Sequence, residues 1–185
     1  DQEWRRMARQ KQFLSLIMLD VDYFKLYNDV YGHQQGDKCL IQIAHTAQGV
    51  LKRPVDLLAR YGGEEFAIIL SNTDQIRACE VATQIQSAIK ALCIPHSSGK
   101  EQIVTISLGV ATQIPSFDRT LHAFIGQADR ALYEAKQRGR DCWIHFSMNF
   151  TSEHMPLLLF LLNKNYGVFW QLISIRDPVS GKLQQ

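Results

Sequence analysis

Gly62-Gly63-Glu64-Glu65-Phe66 stands between two short runs of strand-like residues, 57–60 and 66–70, and its reading decides the rest of the chain. Two such runs joined through a Gly-Gly step predict a tight β-hairpin with acids at its tip. Glycine there lets the backbone pass close to a ligand, and the glutamates that follow add anionic oxygens. A hairpin of this composition can hold both phosphates and metal. Alone it would be an ordinary turn, because exposed glutamates are mostly just solvated. Its meaning comes from the segments around it.

Upstream, Leu14, Leu16, Ile17, Met18 and Leu19 form an almost continuous apolar run, the pattern of a strand buried on both faces. The run ends at Asp20-Val21-Asp22. Carboxylates at the end of a buried strand are costly to desolvate unless something pairs with them, and Mg²⁺, a hard cation that prefers oxygen, is a common partner beside phosphates. Either aspartate alone could simply cap the loop that follows. Lys25 then offers a point charge for phosphate, Asn28 and Asp37 offer groups for a base edge, and Gly32 and Gly36 predict a sharply turning loop. His33 reads as a brace of that loop rather than a catalyst.

The remaining elements follow from periodicity. Leu40, Ile43, Ala44, Ala47, Val50 and Leu51 recur at helical spacing, with Asp37 expected to cap the start. Ile76, Cys79, Ile85, Ile89 and Leu92 predict a second helix from Asp74 onward. Residues 103–111 read as a strand neighbouring the one that ends at Asp20. Leu121, Phe124, Ile125, Ala128, Leu132 and Ala135 mark a third helix, stopped by Gly139, before a short strand at 142–146. Phe24 and Phe66 read as core anchors. The expected fold is α+β, a ferredoxin-like, mainly antiparallel sheet with helices covering one face.

The run Asp20-Val21-Asp22-Tyr23-Phe24-Lys25-Leu26-Tyr27-Asn28-Asp29, then Tyr31-Gly32-His33-Gln34-Gln35-Gly36-Asp37, then the hairpin at 62–66, resembles the GGDEF family of diguanylate cyclases. Ala128-Asp129-Arg130-Ala131-Leu132-Tyr133-Glu134-Ala135-Lys136 with Gly139-Arg140 is similar to that family's last signature. Four separated blocks in the family's order, over roughly residues 10 to 146, carry the likeness. It implies a fold like the palm of nucleotidyl cyclases, and condensation of two GTP into cyclic di-GMP by attack of a 3′-hydroxyl on an α-phosphate. It also implies that Asp20 and Glu64 coordinate Mg²⁺ or Mn²⁺ through side chains and Val21 through its carbonyl. Lys25, Lys136 and Arg140 are matched by the family's phosphate contacts, Gly62 and Gly63 by amides along the phosphates, and Asn28 and Asp37 by guanine contacts. An aspartate can accept from both the ring N–H and the exocyclic amine of guanine, a pattern adenine lacks. Glu65 joins Asp20, Glu64 and Lys25 in the expected catalytic set, although for Glu65 and Asp22 the residues leave a structural role equally open.

Arg53-Pro54-Val55-Asp56, with five residues between Asp56 and Gly62, resembles the family's product-inhibition site. The ordinary alternative is an Arg-Asp surface pair in a proline turn. Because one domain holds a single GTP, the resemblance further implies a homodimer, and an upstream sensory domain whose helix ends in residues 1–12, where Trp4 and Met7 share helical spacing. A rival reading keeps the fold as a silent receptor that binds GTP or cyclic di-GMP to control a partner. The intact hairpin argues for the enzyme.

Net charge is +2 over 185 residues, which speaks against a broad nucleic-acid-binding face or a polymerase channel. Cys39, Cys79, Cys93 and Cys142 have no metal spacing and read as reduced, buried thiols. No signal peptide or membrane span is read, so a cytoplasmic location without direct membrane contact is expected, an anchor upstream being left open. The cyclase-like domain is expected over 13–146. Residues 147–185 depart from the pattern: a short helix through Leu162, a strand over 168–175 and a turn at 177–181 are expected. Phe169-Trp170-Gln171-Leu172-Ile173 with Ser180-Gly181-Lys182 resembles the opening of an EAL phosphodiesterase domain, with an added hairpin as the alternative.

Overall fold

In a computed structural model, which describes residues 1–116 and 120–147, the sheet is organised around its most apolar strand. That strand, β1 (Leu14–Val21), is buried at every position. The other strands are β2 (Leu57–Gly62), β3 (Glu65–Ser71), β4 (Ile106–Gln113) and β5 (Trp143–His145), in the order β2-β3-β1-β4-β5. All pairings are antiparallel except β4 with β5. The helices are α1 (Gln2–Gln10), α2 (Phe24–Tyr31), α3 (His33–Val50), α4 (Gln75–Lys90) and α5 (Leu121–Gln137).

Alternation along β1 divides the core in two. Ile17, Leu19 and Val21 pack with Ile43, Ala47, Ala82, Ile85 and Ile89 of α3 and α4. Leu14, Leu16 and Met18 pack with Met7 of α1 and with Phe124, Ala128 and Leu132 of α5. Helices therefore cover both faces of the sheet, not one as expected. The continuous apolar run of β1 requires this, since an open face would leave half of it wet. α1 is fixed by Met7, by a tilted Trp4–Phe124 ring contact at 5.5 Å and by Glu3, which accepts from the Ser71 hydroxyl.

Other expectations change as well. Gly36 lies inside α3 and Asp37 one residue later, so Asp37 does not cap the helix. The cap position is Gly32, at φ 80°, and His33 is the first helical residue. Asp74 does cap α4, through the Arg77 amide, and Gly139 follows the end of α5 as expected. Ile76 is 74 % exposed and Leu92 is exposed too, so α4 buries Ala78, Val81 and Ala82 beside Ile85 and Ile89. Cys39 is buried, with its thiol pushed up to about 11 by burial, but Cys79 and Cys142 are half-buried and Cys93 is exposed. Phe24 and Phe66 are core residues, as read. No helix among the described residues is long and apolar enough to cross a membrane. By its contacts the chain divides into Asp1–Ser147 and Met148–Gln185. The expectations for 148–185 lie outside the described residues.

Candidate active site

The hairpin tip and the end of β1 meet because of register. Asp20 stands directly opposite Glu65 on β3 and opposite Ser107 on β4. Cross-strand neighbours hold their Cβ atoms about 5 Å apart, so two carboxylates share this end of the sheet. Gly63 and Glu64 form the two-residue turn between paired Gly62 and Glu65, with Gly63 at φ 51°. The Arg60 guanidinium donates to the Gly63 carbonyl at 2.7 Å and fixes the turn. A Cβ added at Gly62 or Gly63 would meet nothing within 4 Å, so both glycines face open space where a ligand can approach. Glu64 and Glu65 are half-buried.

Charge at this point is unbalanced. Burial pushes the Asp20 carboxyl above its usual range, the charges of Glu64 and Glu65 push the same way, and Lys136 opposes them. The Lys136 ammonium, in the last turn of α5, lies 2.8 Å from Asp20 Oδ2. A cation on Asp20 relieves both the burial and the repulsion. Among the described residues no three His, Cys, Asp or Glu side chains form a metal cage. The donors fit a divalent cation nonetheless, because Mg²⁺ is commonly held by one or two carboxylates and completed by substrate phosphates and water.

Asp22, two residues on, is of another kind. It is 1 % exposed and accepts from Thr105 Oγ1 at 2.8 Å, Ser107 Oγ at 2.7 Å and the Asp141 amide at 3.0 Å. These three bonds tie β1 to β4 and to the turn after α5, a structural use of the carboxylate.

The other expected residues fall into two groups. Lys25 and Asn28 lie one turn apart on α2, a helix that the sequence reading took for loop, with Lys25 exposed. Asn28 Oδ1 is buried without a partner against Gly36, where a Cβ would come within 1.9 Å of it. Glycine at 36 is thus needed for close approach of α2 and α3, and the residue after it, Asp37, is exposed. Arg140 lies over the Tyr23 ring, 4.4 Å from its centroid. Arg53 and Asp56 are elsewhere, at the start of β2, about 20 Å of strand from the tip. They form a two-point ion pair at 2.5 and 3.0 Å, and Arg53 also donates to Thr73 Oγ1 at 2.6 Å.

The sequence reading did not find Thr105, Ser107 or Thr73, whose partners lie far along the chain, nor Arg60, whose partner Gly63 is three residues on. Nor did it find Tyr23, although its place just before Phe24 and Lys25 made it visible.

Comparison with known proteins gives the family. The family model described as "Diguanylate cyclase, GGDEF domain" matches residues 1–142. The chain belongs to the GGDEF family. A diguanylate cyclase A from Treponema denticola is 41 % identical over 135 residues, which is 72 % of this chain and 35 % of that protein. The coiled coil and GGDEF domain of DgcB from Caulobacter crescentus, solved in complex with c-di-GMP, superposes with a TM-score of 0.70 at 28 % identity, covering 78 % of this chain and 75 % of that one. The active GGEEF domain of a diguanylate cyclase from Vibrio cholerae gives 0.69 at 32 % identity, covering 80 % and 92 %. The chain spans 35 % to 42 % of the length of the first curated relatives it matches. The palm-like α+β fold expected of this GGDEF domain is the one observed, as a mixed five-stranded sheet.

Proposed function

We propose that this chain carries a diguanylate cyclase domain, at residues 13–146, which condenses two GTP into cyclic di-GMP and two pyrophosphates. The observation that carries the reading is the convergence of Asp20, Glu65 and Lys136 beside the open Gly62-Gly63-Glu64 turn. Asp20 and Glu64 would hold Mg²⁺ or Mn²⁺ through side chains and Val21 through its carbonyl. Such an ion, when bound, lowers the pKa of a 3′-hydroxyl and screens charge on phosphate oxygens.

The chain's own residues do the rest. The amides around Gly62 and Gly63 follow the triphosphate. Lys25, Lys136 and Arg140 balance its charge, Lys136 turning from Asp20 to phosphate. Asn28 and Asp37 read guanine, and the Glu65 carboxylate is the base that takes the hydroxyl's proton. Attack forms the O3′–Pα bond and breaks the bond from Pα to the bridging oxygen, releasing pyrophosphate. Each domain supplies one GTP, so two copies face each other across a homodimer and turnover rises with dimerisation. Residues 1–12 would bring the signal of an upstream sensory domain, and 147–185 would be a linker and the start of an EAL-like domain, or else an added hairpin. Arg53 and Asp56 form the inhibitory site, where bound cyclic di-GMP takes the Arg53 fork from Asp56 and Thr73.

The test is concentrated protein with GTP and Mg²⁺ or Mn²⁺, with Glu64→Gln and ATP as controls. Cyclic di-GMP from GTP alone, lost in Glu64→Gln, is expected. GTP binding without turnover, even in a forced dimer, would instead make the domain a receptor.

A further inference from the structure

After α5 the chain takes three successive left-handed residues, Gly139 (φ 101°), Arg140 (φ 60°) and Asp141 (φ 50°). Glycine adopts this region freely, but arginine does not, and a run of this kind persists only where its surroundings over-determine it. Asp141 is so determined. Its amide donates to Asp22 Oδ2 at 3.0 Å, and its carbonyl accepts from the Gln86 side chain at 2.7 Å. Its Oδ1 accepts from the same Gln86 amide at 3.1 Å, and its Oδ2 from Lys90 Nζ at 2.8 Å. The carboxylate is 6 % exposed. Gln86 and Lys90 are four residues apart on α4, so a single helix face grips both ends of Asp141.

What this grip fixes is the preceding residue. Arg140 Nη1 lies 3.3 Å from the Tyr23 hydroxyl, with the guanidinium carbon over the ring. Tyr23, itself left-handed at φ 55°, is the N-cap of α2, the helix that carries Lys25 and Asn28. Arg140 is thereby held out over the start of the substrate helix. An arginine with a free stem would lose much of its rotamer freedom on meeting a phosphate, whereas a guanidinium already parked loses less.

We infer that Gln86, Lys90 and Asp141 are positioning residues for nucleotide binding, a brace from α4 that aims Arg140 at the triphosphate. The inference rests on the reading of Arg140 as a phosphate contact. It predicts that the brace acts through Arg140 and not through the fold at large.

A double-mutant cycle separates the two. The probe is 3′-deoxy-GTP with Mg²⁺, which cannot cyclise, titrated calorimetrically into the full chain. Arg140→Ala and Asp141→Ala should each weaken binding about tenfold, and Lys90→Met or Gln86→Leu about threefold. In the Arg140→Ala background each brace substitution should then cost less than about twofold. Asp141→Asn, which keeps an oxygen for Gln86 and loses the ion pair, should recover part of the affinity. Equal losses in both backgrounds, or no loss from any brace substitution, would overturn the inference. Should Asp141→Ala not fold, the Lys90→Met and Gln86→Leu cycles decide it alone. A wild-type chain that does not take up the nucleotide refutes the proposed function itself, whereas binding with an additive cycle refutes only the brace.

Discussion

Replacing Gly109 with alanine should loosen α5 from the sheet and, with it, the hold on Asp20. A Cβ at 109 would fall 2.1 Å from the Ala128 carbonyl oxygen, 2.2 Å from the Leu132 nitrogen and 2.8 Å from Leu132 Cα. All three are backbone atoms, which cannot swing aside as a flexible side chain would. To restore ordinary contact at 3.4 Å, α5 must withdraw by about 1.3 Å. That opens the seam where Phe124, Ala128 and Leu132 meet Leu14, Leu16, Met18 and Ala111. Overpacking together with the lost dispersion places the cost near 3 kcal/mol, and a domain of this size then melts about 6–12 °C lower. Lys136 rides on the same helix, 2.8 Å from Asp20. A misplacement of about 1 Å can cost on the order of 100-fold in rate, so cyclic di-GMP production should fall between about 10- and 100-fold. Gly126 is the control, because it lies on α5 with nothing within 4 Å of an added Cβ. Gly126→Ala should leave activity intact and stabilise by about 0.5–1 kcal/mol through helix propensity. Calorimetric melting and a GTP turnover assay read both. A Gly109→Ala protein that melts within about 1 °C of wild type would refute the steric argument, since the collision cannot be absorbed without moving a backbone.

Four further outcomes follow, three at the end of β1 and one at Arg53. Asp22→Ala strands the hydroxyls of Thr105 and Ser107 and the Asp141 amide, at a cost of about 3 kcal/mol, seen as a melting point about 6–12 °C lower. Because burial, aided by Glu64 and Glu65, raises the Asp20 carboxyl above 3.8, uptake of Mg²⁺ with 3′-deoxy-GTP should fail at a higher pH on acidification than an ordinary carboxylate would dictate. Glu65→Gln should move that acid limb lower, and an unmoved limb in calorimetric titrations would count against it. The same shift means the folded state binds the proton more readily than the unfolded one, so ionised Asp20 weighs against folding as pH rises past 3.8. Asp20→Asn should therefore melt above wild type at neutral pH while binding no nucleotide, and the advantage should shrink on acidification. Arg53→Ala should relieve feedback inhibition by cyclic di-GMP and also lower the melting point by several degrees, since it leaves the Asp56 carboxylate, 5 % exposed, and the Thr73 hydroxyl without their partner; inhibition that persists unchanged would remove the regulatory reading.

The parts legible in the sequence were those written in local pattern. The apolar run of β1, the Gly-Gly turn and the helical spacing of Leu40, Ile43 and Ala47 each gave the element that is observed. α2 was missed because its eight residues bury Phe24 and Tyr27 alone, too little periodicity to separate from the polar motif around them, and its N-cap Tyr23 makes no side-chain capping bond. Asp37 misled because an aspartate ahead of a periodic run reads as a cap, whereas α3 starts four residues earlier, at His33, behind a cap glycine, Gly32, at φ 80°. The cover of both sheet faces was implicit in β1, yet the apolar face of α5 does not say which side it will choose. The site's acids were visible, but not their partners. Lys136 on Asp20, and Thr105 with Ser107 on Asp22, depend on the register of β1 against β4 and on the seating of α5, which local pattern does not encode.

The two aspartates at the end of β1 show how that register assigns chemistry. Both are nearly excluded from solvent, at 8 % and 1 % exposure, and a buried carboxylate without compensation would be costly. Asp22 is compensated within the protein by three donors, so a ligand would gain less there. Asp20 meets one ammonium at 2.8 Å and faces two further carboxylates, an arrangement that leaves its ionised form poorly stabilised. The fold tolerates this because β1 is pinned on both sides by strands and on both faces by helices, so the unfavourable charge at its end cannot be relieved by moving the strand. A divalent cation or a nucleotide's charge-balanced phosphates then gain more at Asp20 than they could at a carboxylate already satisfied. On the proposed function the stability forgone at Asp20 would be returned as affinity for the cation, while Asp22, with its three donors, ties the end of β1 to β4 and to the turn after α5.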